Sequence, residues 1–344
     1  LTNNIDTQEV EHIMKEVLVI GGTGAMGRPV VEQLLASTKE RWAVRVLTRD
    51  EASPEAKALV ALDPDRVRLV RGSTRDPDGL ARGVDGAYGV FCNTNFFATA
   101  SVRGEVEEGL FALEAAEKAG VQHFVYSSLD SLGALSGGRY PVPHFDSKAS
   151  VGARIDERRA DEYMRRGMGD ESLAFALDRT TVLVTAPYIE NVKAFFRPYP
   201  GVLPNGEEGL VFRAPFGDAR WPMVALDDIA WFAVHVFEHR ETWAGRTLAI
   251  ASDLLGGEDL AKGFTRVTGI PSAYVPMSVA EFESLPMPFK HDFVNMVKAL
   301  NAYTPPRDLA RLRAIHPGLL TFEAWLEKTK WRGEPEVFMK SARG

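Results

Sequence analysis

The chain has 344 residues, 45% of them hydrophobic and 25% charged, which is ordinary for a globular protein and long enough for a large α/β domain with an appendage. A net charge of −7 argues against a nucleic-acid-binding surface, and the single cysteine, Cys92, excludes an intramolecular disulfide framework. No apolar run approaches the roughly 18 residues of a membrane span and nothing resembles a signal peptide, so a cytoplasmic protein with a small-molecule partner, and no nucleic-acid or membrane partner, is expected.

Residues 1–13 are polar and read as an N-terminal tail. The run Val17-Leu18-Val19-Ile20 reads as a parallel strand covered on both faces. It is followed by Gly21-Gly22-Thr23-Gly24-Ala25-Met26-Gly27, whose glycines at 21, 24 and 27 allow a tight turn, close approach of backbone N–H groups to a pyrophosphate, and close strand–helix packing. Val30, Val31, Leu34 and Leu35 then give a helix with a core-facing stripe, and its positive N-terminus falls where phosphates would sit. A second strand, 43–48, ends in Arg49-Asp50, about twenty residues past the glycines, where the reader of the adenosine ribose sits. Arg49 there would pair with a 2′-phosphate; Asp50 would accept from a free 2′-hydroxyl.

Strands at 67–70, 86–92 and 123–126 alternate with helices, the first of these capped by Asp76 and the second closed by Gly120. This order predicts a doubly wound parallel α/β sheet of the Rossmann type, with ligands outside the carboxyl ends of its strands. Each end carries short polar residues: the glycine loop, Arg49, Ser73, Asn93-Thr94-Asn95, and Tyr126-Ser127-Ser128. A helix begins at His144-Phe145-Asp146-Ser147-Lys148, and a sixth strand, 181–185, leads to Pro187-Tyr188-Ile189-Glu190-Asn191. Beyond it the composition shifts to Pro- and Gly-rich irregular structure, with Asp227-Asp228 expected to cap a helix. The expected organisation is a dinucleotide-binding domain over 14–190, to which about 221–252 returns, and a smaller α+β region over 191–344 that mainly shapes a substrate pocket. The other histidines show no metal-ligand spacing, so no metal site is expected.

The glycine turn, Leu47-Thr48-Arg49-Asp50, Gly89-Val90-Phe91 with Thr94-Asn95-Phe96, 120–128, 144–148, Pro187-Tyr188-Ile189-Glu190-Asn191 and Leu226-Asp227-Asp228-Ile229 together resemble the NmrA-like family of atypical short-chain dehydrogenase/reductases, in order over residues 14–252. The resemblance implies NADP(H), with Arg49 rather than Asp50 reading the 2′-phosphate. It also implies divided membership: reductases of quinone, aromatic or dye-like substrates, and redox-sensing regulators that bind NADP(H) without turnover. A homodimer or a regulatory protein partner is compatible with either.

Short-chain dehydrogenases usually place Tyr and Lys at i and i+4 on one helix face, so that tyrosine exchanges a proton with the substrate oxygen. Lys148 is present here, but His144 stands at the tyrosine's place. Lys148 is expected to bind the nicotinamide ribose; His144 is a candidate acid or base, or a residue packed at the helix start. Ser128 takes the place of the serine that bonds a substrate carbonyl. Tyr188 is an alternative proton donor, with a packed aromatic as the competing reading. Pro187, Tyr188 and Asn191 are expected beneath the nicotinamide, together with the cofactor contacts Gly21, Thr23, Gly24, Ala25, Met26, Gly27, Arg49, Ser73, Asn93, Thr94, Asn95, Tyr126, Ser127 and Lys148. The leading expectation is hydride transfer from NADPH to a carbonyl, quinone or conjugated small molecule; the other is an NADP(H)-sensing regulator.

Overall fold

Aliphatic runs become the buried strands of one sheet. The computed structural model describes residues 14–336 except 171 and 173, so the tail expected at 1–13 lies outside the described residues. The strands are Lys15–Ile20 (β1), Trp42–Thr48 (β2), Val67–Arg71 (β3), Gly89–Cys92 (β4), His123–Ser128 (β5), Thr180–Val184 (β6), Tyr199–Val202 (β7), Glu208–Phe212 (β8), Trp221–Met223 (β9), Arg246–Ala249 (β10), Asp253–Leu255 (β11) and Ser272–Tyr274 (β12). Seven form one sheet in the order β3-β2-β1-β4-β5-β6-β10, parallel throughout. The order reverses between β1 and β4, and at such a switch point the diverging loops leave a crevice at the carboxyl edge.

Alternation along the strands sends side chains to two helical layers. Val17, Val19, Val44 and Val46 pack against Val30, Val31 and Leu34 of helix Gly27–Ala36 and against helix Leu226–Glu238. Leu18, Ile20, Val90, Phe124 and Tyr126 pack on the other face against helices Pro77–Val84, Val102–Lys118 and Pro143–Gly167. Asp76 accepts from the Gly79 N–H at 3.1 Å, the cap that its sequence position predicts.

The later residues build a second core around Phe212, Phe216, Trp221, Phe264 and Trp325, under helices Gly257–Thr268, Lys290–Ala302 and Phe322–Thr329. β7, β8 and β12 form one small sheet, and β9 and β11 an antiparallel ribbon. Leu132, Phe145, Ile189 and Val192, from loops and helix starts at the carboxyl edge, belong to this core, so the smaller unit roofs the crevice.

Two polar ties join roof to sheet. Asp228 is not the cap expected from the sequence: helix Leu226–Glu238 starts from Ala225 without a side-chain cap. Asp228 lies in the first turn facing inward, accepting from Ser252 Oγ at 2.5 Å and the Leu320 N–H at 3.2 Å, with His316 Nε2 3.2 Å from its other oxygen. Arg307, its side chain 1% exposed, donates to both Asp130 oxygens at 3.2 and 2.7 Å. It also donates to the carbonyls of Thr185 at 3.1 Å and Ile250 at 3.0 Å. One guanidinium thereby staples the roof to the loops after β5, β6 and β10. Arg307→Met, which leaves Asp130 without its partner, is expected to lower stability by about 3 kcal/mol, read from the denaturation midpoint.

Candidate active site

The loop after β1 is shaped for a close ligand. Gly21 has φ +83°, and a Cβ on it would lie 2.6 Å from the Asn93 carbonyl oxygen; a Cβ on Gly27 would lie 2.1 Å from that of Gly21. No side chain caps the helix that starts at Gly27, so its N-terminal dipole faces an exposed Gly24 and a half-buried Thr23. This cradle fits a pyrophosphate. At the end of β2, Asp50 Oδ1 accepts from the Ala52 N–H at 2.9 Å, so that carboxylate closes its own turn. Arg49 is exposed and makes no ion pair among the described residues.

Toward β4 and β5 the polar groups converge on Lys148. Its Nζ donates to the Thr94 carbonyl at 2.5 Å, to Thr94 Oγ1 at 3.0 Å and to Asn93 Oδ1 at 3.2 Å, and pairs with Glu105 Oε1 at 3.1 Å. Glu105 has no exposed surface. It also accepts from Thr94 Oγ1 at 2.8 Å and from Ser147 Oγ. A buried carboxylate survives only with such partners, and here they fix Lys148 above Asn93.

One turn earlier on the same helix, His144 lies under an aromatic roof. Phe97, Phe145 and Phe293 have ring centroids 5.2, 4.8 and 5.6 Å from the imidazole. Phe289 and Phe195 extend the roof through Phe97 and Phe293. The Asp292 carboxylate, from helix Lys290–Ala302, faces His144 Nδ1 and accepts from the His144 backbone N–H at 3.2 Å.

Other expected site residues are placed differently. Tyr126 is fully buried on the helix side of β5, its hydroxyl 3.4 Å from Thr94 Oγ1, so it supports the Lys148 cluster from beneath. Ser128 faces the same way and donates to the Lys148 carbonyl at 3.1 Å, which engages its hydroxyl away from a substrate. Ser127 Oγ donates to Met26 Sδ at 3.2 Å, and both are buried, joining the β5 end to the glycine loop. Ser73 and Asn95 accept from the N–H groups of Arg75 at 3.2 Å and Phe97 at 3.2 Å, stabilising their own loops. Ala25 is half-buried in the glycine loop. Pro187 accepts from the Val224 N–H at 2.9 Å. Asn191 keeps a buried Oδ1 without a donor among the described residues. Desolvation raises the Tyr188 phenol above its ordinary pKa and pushes the Cys92 thiol up to about 12.

Glu105 and Asp292 carry roles that motif reading missed. Glu105 had a visible signal, a charged residue on the 105, 109, 112, 116 stripe that helix Val102–Lys118 buries. Asp292 had none, being 148 residues from its partner.

A sequence profile of the NmrA-like family matches residues 14–326. The chain belongs to the NmrA-like family. The oxidoreductase malD of Malbranchea aurantiaca, an NmrA-like relative, is 30% identical over 270 residues, 75% of this chain and 74% of its own. The NADP complex of NmrA, a negative transcriptional regulator, superposes with a TM-score of 0.69 at 19% identity over 91% of this chain and 94% of NmrA. The NADP(H) complex of Citrobacter sp. triphenylmethane reductase does so with 0.65 at 17% over 91% and 99%. At these identities the two structures show a shared fold.

Glu190 links the loop after β6 to the roof, accepting from Trp325 Nε1 at 3.0 Å and from the Leu226 N–H at 3.3 Å. Desolvation pushes its carboxyl up to about 7. A raised acid pKa means the fold favours the protonated form, so this group's stabilisation is complete below the unfolded value of 4.5 and is lost as pH rises through about 7. The melting temperature of Glu190→Gln relative to the native chain is expected to gain a few degrees between pH 5 and pH 8; a pH-independent difference would contradict this.

Proposed function

We propose that the protein is an NADP(H)-dependent oxidoreductase that reduces a conjugated small molecule, a carbonyl or a quinone, under the aromatic roof. The observation that carries this reading is the arrangement of Lys148 and His144 one turn apart. Lys148 is fixed at the carboxyl end of β4 beside Asn93, and His144 lies under phenyl rings. The relative malD is named an oxidoreductase, and triphenylmethane reductase and NmrA were crystallised with NADP(H) or NADP, which supports the cofactor.

When bound, the nicotinamide supplies the hydride. The chain's own residues divide the remaining work. Thr23 to Gly27 would hold the pyrophosphate by backbone N–H groups and the helix dipole. Arg49, free where Asp50 is engaged, would pair with the 2′-phosphate. Lys148 would hold the ribose hydroxyls, and Asn191 Oδ1, a buried acceptor without a donor among the described residues, would accept from the carboxamide. His144 would exchange the proton, and the phenyl rings would exclude water. His144 is preferred to Ser128 because the Ser128 hydroxyl is engaged with the Lys148 carbonyl.

One observation favours the second reading, an NADP(H)-sensing regulator: the residue four before Lys148 is not tyrosine. NADPH absorbance followed with a panel of quinones, ketones and cationic dyes separates the two. Turnover of at least one acceptor is expected; tight NADPH binding without turnover would make the protein a sensor. Arg49→Ala is expected to weaken NADPH binding about tenfold or more while leaving NADH within twofold, by titration of each cofactor's fluorescence. Equal losses would contradict the 2′-phosphate assignment.

A further inference from the structure

His144 and Asp292 come from helices that meet only in the folded chain, and Asp292 keeps 7% of its surface. A carboxylate so placed needs compensation, and one residue, His144, faces both of its oxygens. Oδ1 accepts from the His144 backbone N–H at 3.2 Å, which leaves Oδ2 against the ring at Nδ1. An ionised carboxylate only accepts, so Nδ1 must carry its hydrogen. Nε2 has no hydrogen-bond partner among the described residues, and 11% of the imidazole side chain stays accessible. The helix bearing Asp292 starts from Phe289, which holds φ +53°, a left-handed conformation costly for a bulky side chain. Phe289 O accepts from the Asp292 N–H at 3.0 Å, so this corner opens the helical turn that carries Asp292.

We propose that Asp292 is the positioning residue for His144, and that His144 Nε2 is the proton donor to the oxygen of a carbonyl or quinone substrate. The proposal rests on the reductase reading and replaces the missing tyrosine with a carboxylate–imidazole pair shared between the two halves of the chain. The step balances. Hydride from the reduced cofactor forms a C–H bond at the electrophilic carbon, and the carbonyl π pair moves to oxygen. Oxygen takes the proton from Nε2 of the protonated ring, the cofactor ends oxidised, and the ring is left neutral with its hydrogen on Nδ1, to be reprotonated from water. Asp292 faces Nδ1 throughout, so the same ring nitrogen keeps its hydrogen before and after the step. Among the described residues, the groups facing the ring are Asp292 and the phenyl rings of Phe96, Phe97, Phe145 and Phe293; Lys148 lies one turn along its own helix.

The test is the tautomer of His144. In Asp292→Asn the amide oxygen must stay on the backbone N–H, which turns the NH₂ group to Nδ1 and moves the ring hydrogen to Nε2. Long-range ¹H–¹⁵N spectra of histidine-labelled full-length protein, assigned with His144→Gln, are expected to show Nδ1–H in the native neutral ring and Nε2–H in Asp292→Asn. NADPH affinity is expected to stay within twofold while kcat, with 1,4-naphthoquinone or whichever panel acceptor the native chain reduces, falls about 100-fold. A native ring carrying Nε2–H overturns the proposal without any variant. An unchanged tautomer in Asp292→Asn, or a changed tautomer with less than a twofold loss of kcat, also overturns it. Native protein that binds NADPH but reduces no acceptor refutes both the reductase reading and the proton-donor role. The native tautomer then decides only whether Asp292 positions the ring.

Discussion

A carboxylate sealed from water constrains the site. Glu105 stands on a helix whose other buried positions are Gly, Ala and Leu, and removal from solvent would be costly without compensating partners. Its partners come from different parts of the chain: Thr94 from the loop after β4, and Ser147 and Lys148 from helix Pro143–Gly167. Satisfying one buried charge therefore fixes the β4 loop, the lysine and the helix that also carries His144. The geometry at the carboxyl edge follows from this packing requirement.

The roof supplies a second set of constraints of the same kind. Arg307 and Asp228 tie late segments to strand-end loops through buried, multiply bonded charges, while the phenyl rings over His144 supply apolar cover. Hydrogen bonds make the junction specific, and aromatic burial makes it favourable. Asp292 lies at the place where the two meet. The crevice is thus a polar floor from the parallel sheet beneath an apolar ceiling shared by Phe97 and Phe145 with Phe293 from much later in the chain, a contrast suited to a ligand with a charged end and a flat, conjugated end.

The sheet was legible because unbroken aliphatic runs and regular strand–helix alternation are local signals, and the glycine loop because steric demands leave no other residue at 21 or 27. Lys148 was singled out by its four-residue spacing from His144 on one helix face, and the structure sets it against Asn93, Thr94 and Glu105. The strand-end serines carry a second signal that is also present in the sequence. A period of two along β5 sends Tyr126 and Ser128 toward helix Pro143–Gly167 and Ser127 to the opposite face, against Met26 of the glycine loop, so the three neighbours do not share one face. Asp228 was misjudged because an acidic pair at a helix start reads as a cap, whereas its inward position depends on Ser252 and Leu320. Glu105 was hidden by the habit of assigning charge to solvent. Asp292 could not be seen at all, because its meaning depends on a contact between distant segments.

The central claim is that this edge moves hydride as well as holding a cofactor. The most direct measurement uses NADPH carrying deuterium at one or the other face of nicotinamide C4, incubated with the purified full-length chain and a reducible acceptor. Mass spectrometry of the product then reads the label. The account predicts deuterium in the reduced acceptor from one labelled face and none from the other. Label retained in the cofactor from both faces, with NADPH bound, would contradict it.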